Sequence, residues 1–258
     1  MTRPMNTYRM VAVLLTAVAL AACDKNAVQQ LPLEPLLESR IKFFHYGVNA
    51  PTVNFYAATR KMTAVTPETP GQGVAFPNPG SGGAYSTIAA GHYTLAARIS
   101  SGADIDLPIA SVDTTIAAGK FYTFYMSGIY NAVGKTADAF VVEDAYPSQV
   151  DYVVAQVRFV HAISNAAPLT LYAANTTTTD TVTVGRAVRY KSAGAFIGLP
   201  AGVYNLFARY TDSTTNKITR TAVSFVGGRV YTVGARGDIT ITSTAAANRP
   251  FLDNTTNR

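Results

Sequence analysis

Tryptophan is absent from this 258-residue chain, and cysteine occurs once, at position 23. A lone cysteine excludes an intramolecular disulfide, so a folded core has to hold the chain together. Charge is sparse as well: 14% of residues are Asp, Glu, Lys or Arg, with 21 basic against 15 acidic. The basic residues are scattered, and no Lys/Arg run could track a phosphate backbone. Nucleic acid is therefore not an expected partner. Of the three histidines, His45 and His161 have no His, Cys or Glu partner at metal-ligand spacing, and His92 reads as a solvated strand position. No metal and no cofactor are expected. The acidic pairs Asp104/Asp106 and Glu143/Asp144 offer too few oxygens for calcium. No Gly-x-Ser-x-Gly elbow occurs, and "GIYNAVGKT" (128–136) has the wrong glycine spacing for a phosphate loop. A nucleophile–base set lacks its parts, so the sequence predicts no catalytic residues and no enzyme.

What is present starts with a leader. Arg3 and Arg9 precede the apolar run "MVAVLLTAVALAA" (10–22), which ends in Leu20-Ala21-Ala22-Cys23. As a helix the run spans roughly 20 Å, too short for a hydrocarbon core of about 30 Å. It reads as a signal peptide over 1–22. "LAAC" resembles the bacterial lipobox, which implies cleavage before Cys23 and acylation of its sulfur; a plain secretory signal with an incidental cysteine is the alternative. Acyl chains at about 0.8 kcal/mol per buried CH₂ give lasting membrane attachment. The expected address is the bacterial cell envelope, lipid-anchored, at the outer membrane or cell surface rather than the inner membrane. Residues 23–38 read as the lipidated N-terminus and a tether, stiffened by Pro32 and Pro35.

The rest of the chain is written twice. "IKFFHYGVNAPTVNFYAAT" (41–59) returns as "VRFVHAISNAAPLTLYAAN" (157–175), with Phe43/Phe159, His45/His161, Asn49/Asn165 and Tyr56/Tyr172 identical. "TIAAGHYTLAARI" (87–99) returns as "GLPAGVYNLFARY" (198–210), and "AAGKFYTFY" (117–125) as "VGGRVYTVG" (226–234). Three blocks recurring in order mean a duplicated domain, with repeat one over 39–150, repeat two over 151–243 and a C-terminal tail over 244–258.

Both copies consist of short Val/Ile/Phe/Tyr/Thr segments separated by Gly, Pro, Asn and Asp, which is the strand signal. Strands are expected near 40–46, 52–58, 84–88, 92–99, 109–116, 120–128 and 138–143. In the second copy they are expected near 155–161, 169–174, 195–199, 203–210, 218–226, 229–236 and 238–243. No sustained 3.6-residue period occurs. The fold class is all-β, two consecutive Ig-like antiparallel β-sandwich domains, each long enough to bury its own core. The Pro/Gly-rich stretch 66–83 and the Thr-rich stretch 175–185 read as the loops that differ most between copies.

With these blocks laid out, the chain resembles the bacterial domain-of-unknown-function family 4397 (DUF4397). "VRFVHAISNAAPLTLYAA", "LPAGVYNLFAR" and "GGRVYTVGARG" carry the likeness in copy two. "IKFFHYGVNAPTVNFYAA", "IAAGHYTLAAR" and "AAGKFYTFYMSG" carry it in copy one. The resemblance implies tandem domains in exported, lipid-anchored proteins and brings no known reaction. Where the family has Ser-Pro-Asp, this chain has Gly47-Val48-Asn49 and Ile163-Ser164-Asn165, so no role of that acid is expected here. His45, Asn49, His161 and Asn165 are expected to be structural positions of the motif. The expected function is a binding or structural envelope module whose partner is an envelope protein or a glycan. The alternative is a carbohydrate-binding accessory module that uses Tyr122, Tyr125, Tyr130, Tyr152, Tyr210 and Tyr231 as an aromatic platform.

Overall fold

The computed structural model describes residues 38–63, 73–149 and 151–257. The signal segment, Cys23 and the tether as far as Leu37 lie outside the described residues. Among the described residues repeat one contains eight strands: β1 (Ser39–His45), β2 (Val53–Ala57), β3 (Arg60–Lys61), β4 (Ser86–Ile88), β5 (Gly91–Ile99), β6 (Pro108–Ile116), β7 (Phe121–Asn131) and β8 (Thr136–Glu143). They form two four-stranded sheets, ordered β4-β1-β7-β8 and β3-β2-β5-β6. Alternation explains the sandwich. Ile41 and Phe43 of β1, Phe55 of β2, Leu95 and Ala97 of β5 and Phe124 of β7 point between the sheets and are buried there. Phe43 stacks on Phe55 at 5.1 Å between ring centroids, and Phe124 meets Phe55 edge-on at 5.5 Å.

Repeat two follows the same plan with β9 (Val154–His161), β10 (Leu169–Asn175), β11 (Thr181–Val188), β12 (Ser192–Ala193), β13 (Ile197–Pro200), β14 (Gly202–Tyr210), β15 (Ile218–Phe225), β16 (Val230–Arg236) and β17 (Phe251–Thr256). Its sheets run β12-β9-β16-β17, with β13 also on β9, and β11-β10-β14-β15. A separate core contains Val157, Phe159, Leu171, Leu206 and Val233. The pairing is mostly antiparallel, as expected for a sandwich, but each repeat also has one parallel pair. β1 runs alongside β7, and β9 alongside β16.

Three expectations need correction. Residues 181–185 of the Thr-rich stretch 175–185 are not loop but the first part of strand β11, because Val184 and Val188 reach the core while Thr181 and Thr183 face out. Residues 238–243 form no strand; they belong to the connection from β16 to β17. The segment 244–258, read as a tail, supplies β17, which pairs antiparallel with β16 over Tyr231–Arg236 and buries Leu252 completely. In repeat one the matching hairpin is tight, with Asn131 opposite Thr136.

The repeats do not stand apart. Glu38–Arg258 is one compact unit. The outer faces of the β1/β7 and β9/β16 sheets are buried on each other, and Phe44, Tyr46, Tyr125, Phe140, Val160 and Ala162 form a third apolar cluster there. That leaves β16 buried along its whole length and β1 nearly so. Strands covered on both faces lose the polar-out alternation of a lone sandwich.

Candidate functional site at the seam between the repeats

On β1, core residues alternate with Lys42 and Phe44; on β9, they alternate with Arg158 and Val160. Alternation alone would send Lys42 and Arg158 to solvent. Stacking of the two sheets buries them instead, at 1% and 2% exposure. Two buried cations in one interface are costly unless they are paired and hydrogen-bonded. The partners come from the strands beyond, across the repeat boundary.

Arg158 donates through one terminal nitrogen to Asp144, just after β8, in an ion pair whose side chains are both essentially inaccessible. Its Nε donates to Thr232 Oγ1 at 3.0 Å, and its other terminal nitrogen to the Glu143 carbonyl at 3.1 Å. The guanidinium lies 4.9 Å from the centre of the Phe196 ring. Asp144 also accepts from Thr123 Oγ1 at 2.7 Å and from the Tyr85 hydroxyl, which in turn meets the Tyr146 hydroxyl. Lys42 donates to Asn257 Oδ1, and Asn257 Nδ2 donates to Thr232 Oγ1 at 2.8 Å. The ammonium sits 4.8 Å from the centre of the Tyr85 ring.

These groups are related by the duplication. Lys42 matches Arg158, and Thr123 matches Thr232. Asp144 matches Asn257, since the first donates its N–H to Phe121 O and the second to Val230 O, both at 2.7 Å. One half of the seam is thus Arg–Asp and the other Lys–Asn. Two cations share one carboxylate. Burial, aided by the charge of Arg158 and opposed by Asp144, lowers the Lys42 ammonium from its usual 10.5 to about 8. Burial likewise raises the Tyr85 and Tyr125 phenols.

The middle of the seam is a fit of large into small. Repeat one presents Phe44, Tyr46 and Tyr125, with Phe44 and Tyr125 stacked at 5.3 Å. At the matching positions repeat two has Val160, Ala162 and Gly234. A Cβ on Gly234 would lie 3.2 Å from the Tyr46 ring, so glycine gives that ring its room. Further along, Asp138 of β8 accepts from the Tyr190 hydroxyl at 2.8 Å and from Lys191 at 2.7 Å, and Ser127 and Tyr190 share a hydrogen bond of 2.9 Å.

The four motif positions lie at the far ends of β1 and β9, away from the charged seam. His45 and His161 are both fully buried. His161 Nε2–H donates to Ala167 O at 3.1 Å, and its Nδ1 accepts the Ile163 N–H at 3.2 Å, which fixes the tautomer. His45 Nε2–H donates to Pro51 O at 2.9 Å, but its Nδ1 has no hydrogen-bond partner among the described residues. Burial lowers the pKa of both rings. Asn49 sits at φ +60°, where asparagine is tolerated. Asn165 instead clamps the β16–β17 connection, donating to Asp238 Oδ1 at 2.7 Å and accepting from the Ile239 N–H at 3.2 Å. Asn248 of that connection reaches Asn49 at 3.5 Å. Among the described residues, no group of three or more His, Cys, Asp or Glu could hold a metal ion.

Sequence reasoning missed the seam residues, whose only signal was that Lys42 and Arg158 recur at one repeat position. The proposed tyrosine platform does not assemble: Tyr122, Tyr125 and Tyr231 are buried, while Tyr152 is exposed at the opposite end from Tyr130. Among the described residues no helix is long and apolar enough to cross a membrane. Residues 155–258 match the family model described as Domain of unknown function (DUF4397). The match covers almost all of repeat two and continues through β17, past the point at which the sequence reading ended the repeat. No curated protein matches the chain.

Proposed function

We propose that the chain is a lipid-anchored cell-envelope protein, without catalytic activity, whose two β-sandwich repeats act as one rigid body that presents loops to a partner. The seam carries this reading. It spends two buried cations, a carboxylate and four aromatic rings on locking one repeat to the other, which suits a spacer or a binding scaffold. The polar groups gathered there are saturated by one another: Asp144 accepts from Arg158, Thr123 and Tyr85 and keeps little capacity for a substrate. The loops free to recognise a partner lie at the Asn49/Asn165 end, where turns from both repeats meet. An envelope protein or a glycan is the class of partner such loops would take.

The anchor is tested by Cys23→Ser. The variant is expected to leave the membrane fraction and to lose labelling by a radioactive fatty acid. Unchanged fractionation would remove the lipid from this reading. The binding role is tested by photo-crosslinking from Asn49 and Thr240 in cells, which should trap a defined envelope component. A hydrolytic activity of residues 24–258 that one side-chain change abolishes would overturn the non-catalytic role.

A further inference from the structure

We infer that the end of the molecule where β1 and β9 begin is a membrane-resting face, whose apolar turns sit on the phospholipid surface. This rests on the anchoring reading above. Pairing fixes which loops share that end. Ser39 lies opposite Ile88, so the turn at 89–90 is there; Gly91 lies opposite Ile116, which brings the turn at 117–118 alongside. In repeat two, Pro200 lies opposite Val154 and Gly202 opposite Phe225, which places Ala201 and Val226 at the same end. The linker between the repeats crosses there too, since Asp144 bonds Phe121 O, Gly228 bonds Val154 O and Arg158 bonds Asp144.

Surface turns ordinarily take Asn, Asp, Ser, Gly or Pro. Here the connections are Ala89-Ala90, Ala117-Ala118-Gly119-Lys120 and the single Ala201, so alanines take most of these places, and all five are exposed. Beside them Tyr152 is 82% exposed, Val153 75% and Val226 53%. Tyr152 packs against the Val226 turn, because a Cβ on Gly228 would lie 2.9 Å from its ring. An exposed tyrosine with valines around it has the amphipathic chemistry of a membrane interface. Of the charges at this end, Lys120 is paired with Glu143 at 3.0 Å, and Asp151 holds the Val153 N–H at 2.9 Å. Glu38 is exposed where β1 begins, and Arg40, 5.8 Å from the centre of the Phe121 ring, and Arg229 supply the positive charge that would meet anionic headgroups.

The occupant follows from where the chain enters. Fifteen residues separate Cys23 from Ser39, a reach of at most about 55 Å, and Ser39 opens on this face. The opposite end also exposes Ile105, Ile129 and Val133, but it sets them among polar groups: the Asn49 and Asn165 turns, the Asp238 loop and the Lys135–Asp104 pair at 2.6 Å. An acyl anchor combined with a weak apolar contact is the two-signal arrangement that holds a protein on a bilayer in a fixed orientation.

The test uses the full-length acylated protein in vesicles of phosphatidylethanolamine and phosphatidylglycerol that contain spin-labelled lipid. Tyr152→Cys, Val226→Cys and, at the far end, Val133→Cys each carry an environment-sensitive dye. Acylation consumes the Cys23 sulfur, so each variant has one reactive thiol. Blue-shifted, lipid-quenched emission from 152 and 226, with neither change at 133, is the expected result. Acylated, vesicle-bound protein whose 152 and 226 probes stay unquenched overturns the membrane face and leaves the anchor standing; this includes shielding of those probes by the protein's own tether. Protein that carries no acyl chain and does not bind vesicles overturns both.

Discussion

The two repeats supply the same positions to their common seam and fill them differently. At the charged end, repeat two gives Arg158 to the Asp144 of repeat one, while repeat one gives Lys42 to the Asn257 of repeat two. In the middle, Phe44, Tyr46 and Tyr125 face positions where repeat two has Val160, Ala162 and Gly234. Had both copies kept aromatics, the rings would collide; had both kept small residues, a void would remain. Duplication created a self-facing sheet, and divergence made it complementary. The charged end shows the same drift less completely, because it holds one carboxylate for two cations.

That asymmetry can be broken at either half. Asp144→Ala leaves Arg158 buried without its counter-charge and is expected to cost about 3–5 kcal/mol of unfolding free energy. Asn257→Ala removes the neutral acceptor of a buried ammonium and should cost less, about 1.5–3 kcal/mol. Chemical denaturation of residues 24–258 measures both. Equal losses would show that the two halves of the seam are energetically alike, against the geometry.

Lys42 gives the next largest effect. Its ammonium loses its proton near pH 8 in the folded chain and near its usual 10.5 in the unfolded one. Between those values the unfolded chain binds more protons, so stability rises with pH. The full gain is about 3 kcal/mol. It begins near pH 8 and is opposed above about pH 10, where unfolded tyrosines ionise while Tyr85 and Tyr125 resist. Melting temperature should therefore climb from pH 8 towards pH 10 in the natural chain and stay flat in Lys42→Met. Asn257→Asp sharpens the same point: a second carboxylate should raise the Lys42 pKa and move the climb to higher pH.

Gly234 marks the aromatic half. Gly234→Val would place two methyl groups against the Tyr46 ring, and overpacking of that kind costs about 1–3 kcal/mol. Tyr46→Ala in the same chain should recover part of the loss, and additive losses in a thermal denaturation cycle would show that the two residues do not meet.

How far the sequence disclosed this arrangement depends on what each residue faces. Strands whose alternate residues enter a core, such as "KFFH" and "VRFVH", were legible, and so was the duplication. β17 was not: "FLDNTT" buries only Leu252 fully, bears no likeness to the "TADAFVVE" of β8, and reads as a polar tail. β11 was hidden by the threonine run before it. The seam was illegible for a stronger reason. Lys42 and Arg158 sit where a strand shows its solvent face, and they are buried only because a second copy covers them. Alternation within one strand cannot report what lies on the far side of its sheet.

The smallest expected contrast lies between the two histidines. Both rings are buried and neutral, with pKa values lowered below the usual 6.5. On acidification through 6.5 the unfolded chain takes up protons that the folded chain refuses, so stability present above that pH is lost below it. The two sites should not contribute equally. Protonating His161 puts a hydrogen on Nδ1, which already accepts the Ile163 N–H, whereas His45 Nδ1 faces no donor among the described residues. At pH 7.5 His161→Asn should therefore cost more than His45→Asn, by about one hydrogen bond or 1 kcal/mol. It should also remove more of the stability lost between pH 7.5 and pH 5. If His45→Asn flattens the acid limb further than His161→Asn does, simple burial rather than the Ile163 N–H governs these rings, and the difference between the two turns has no bearing on their titration.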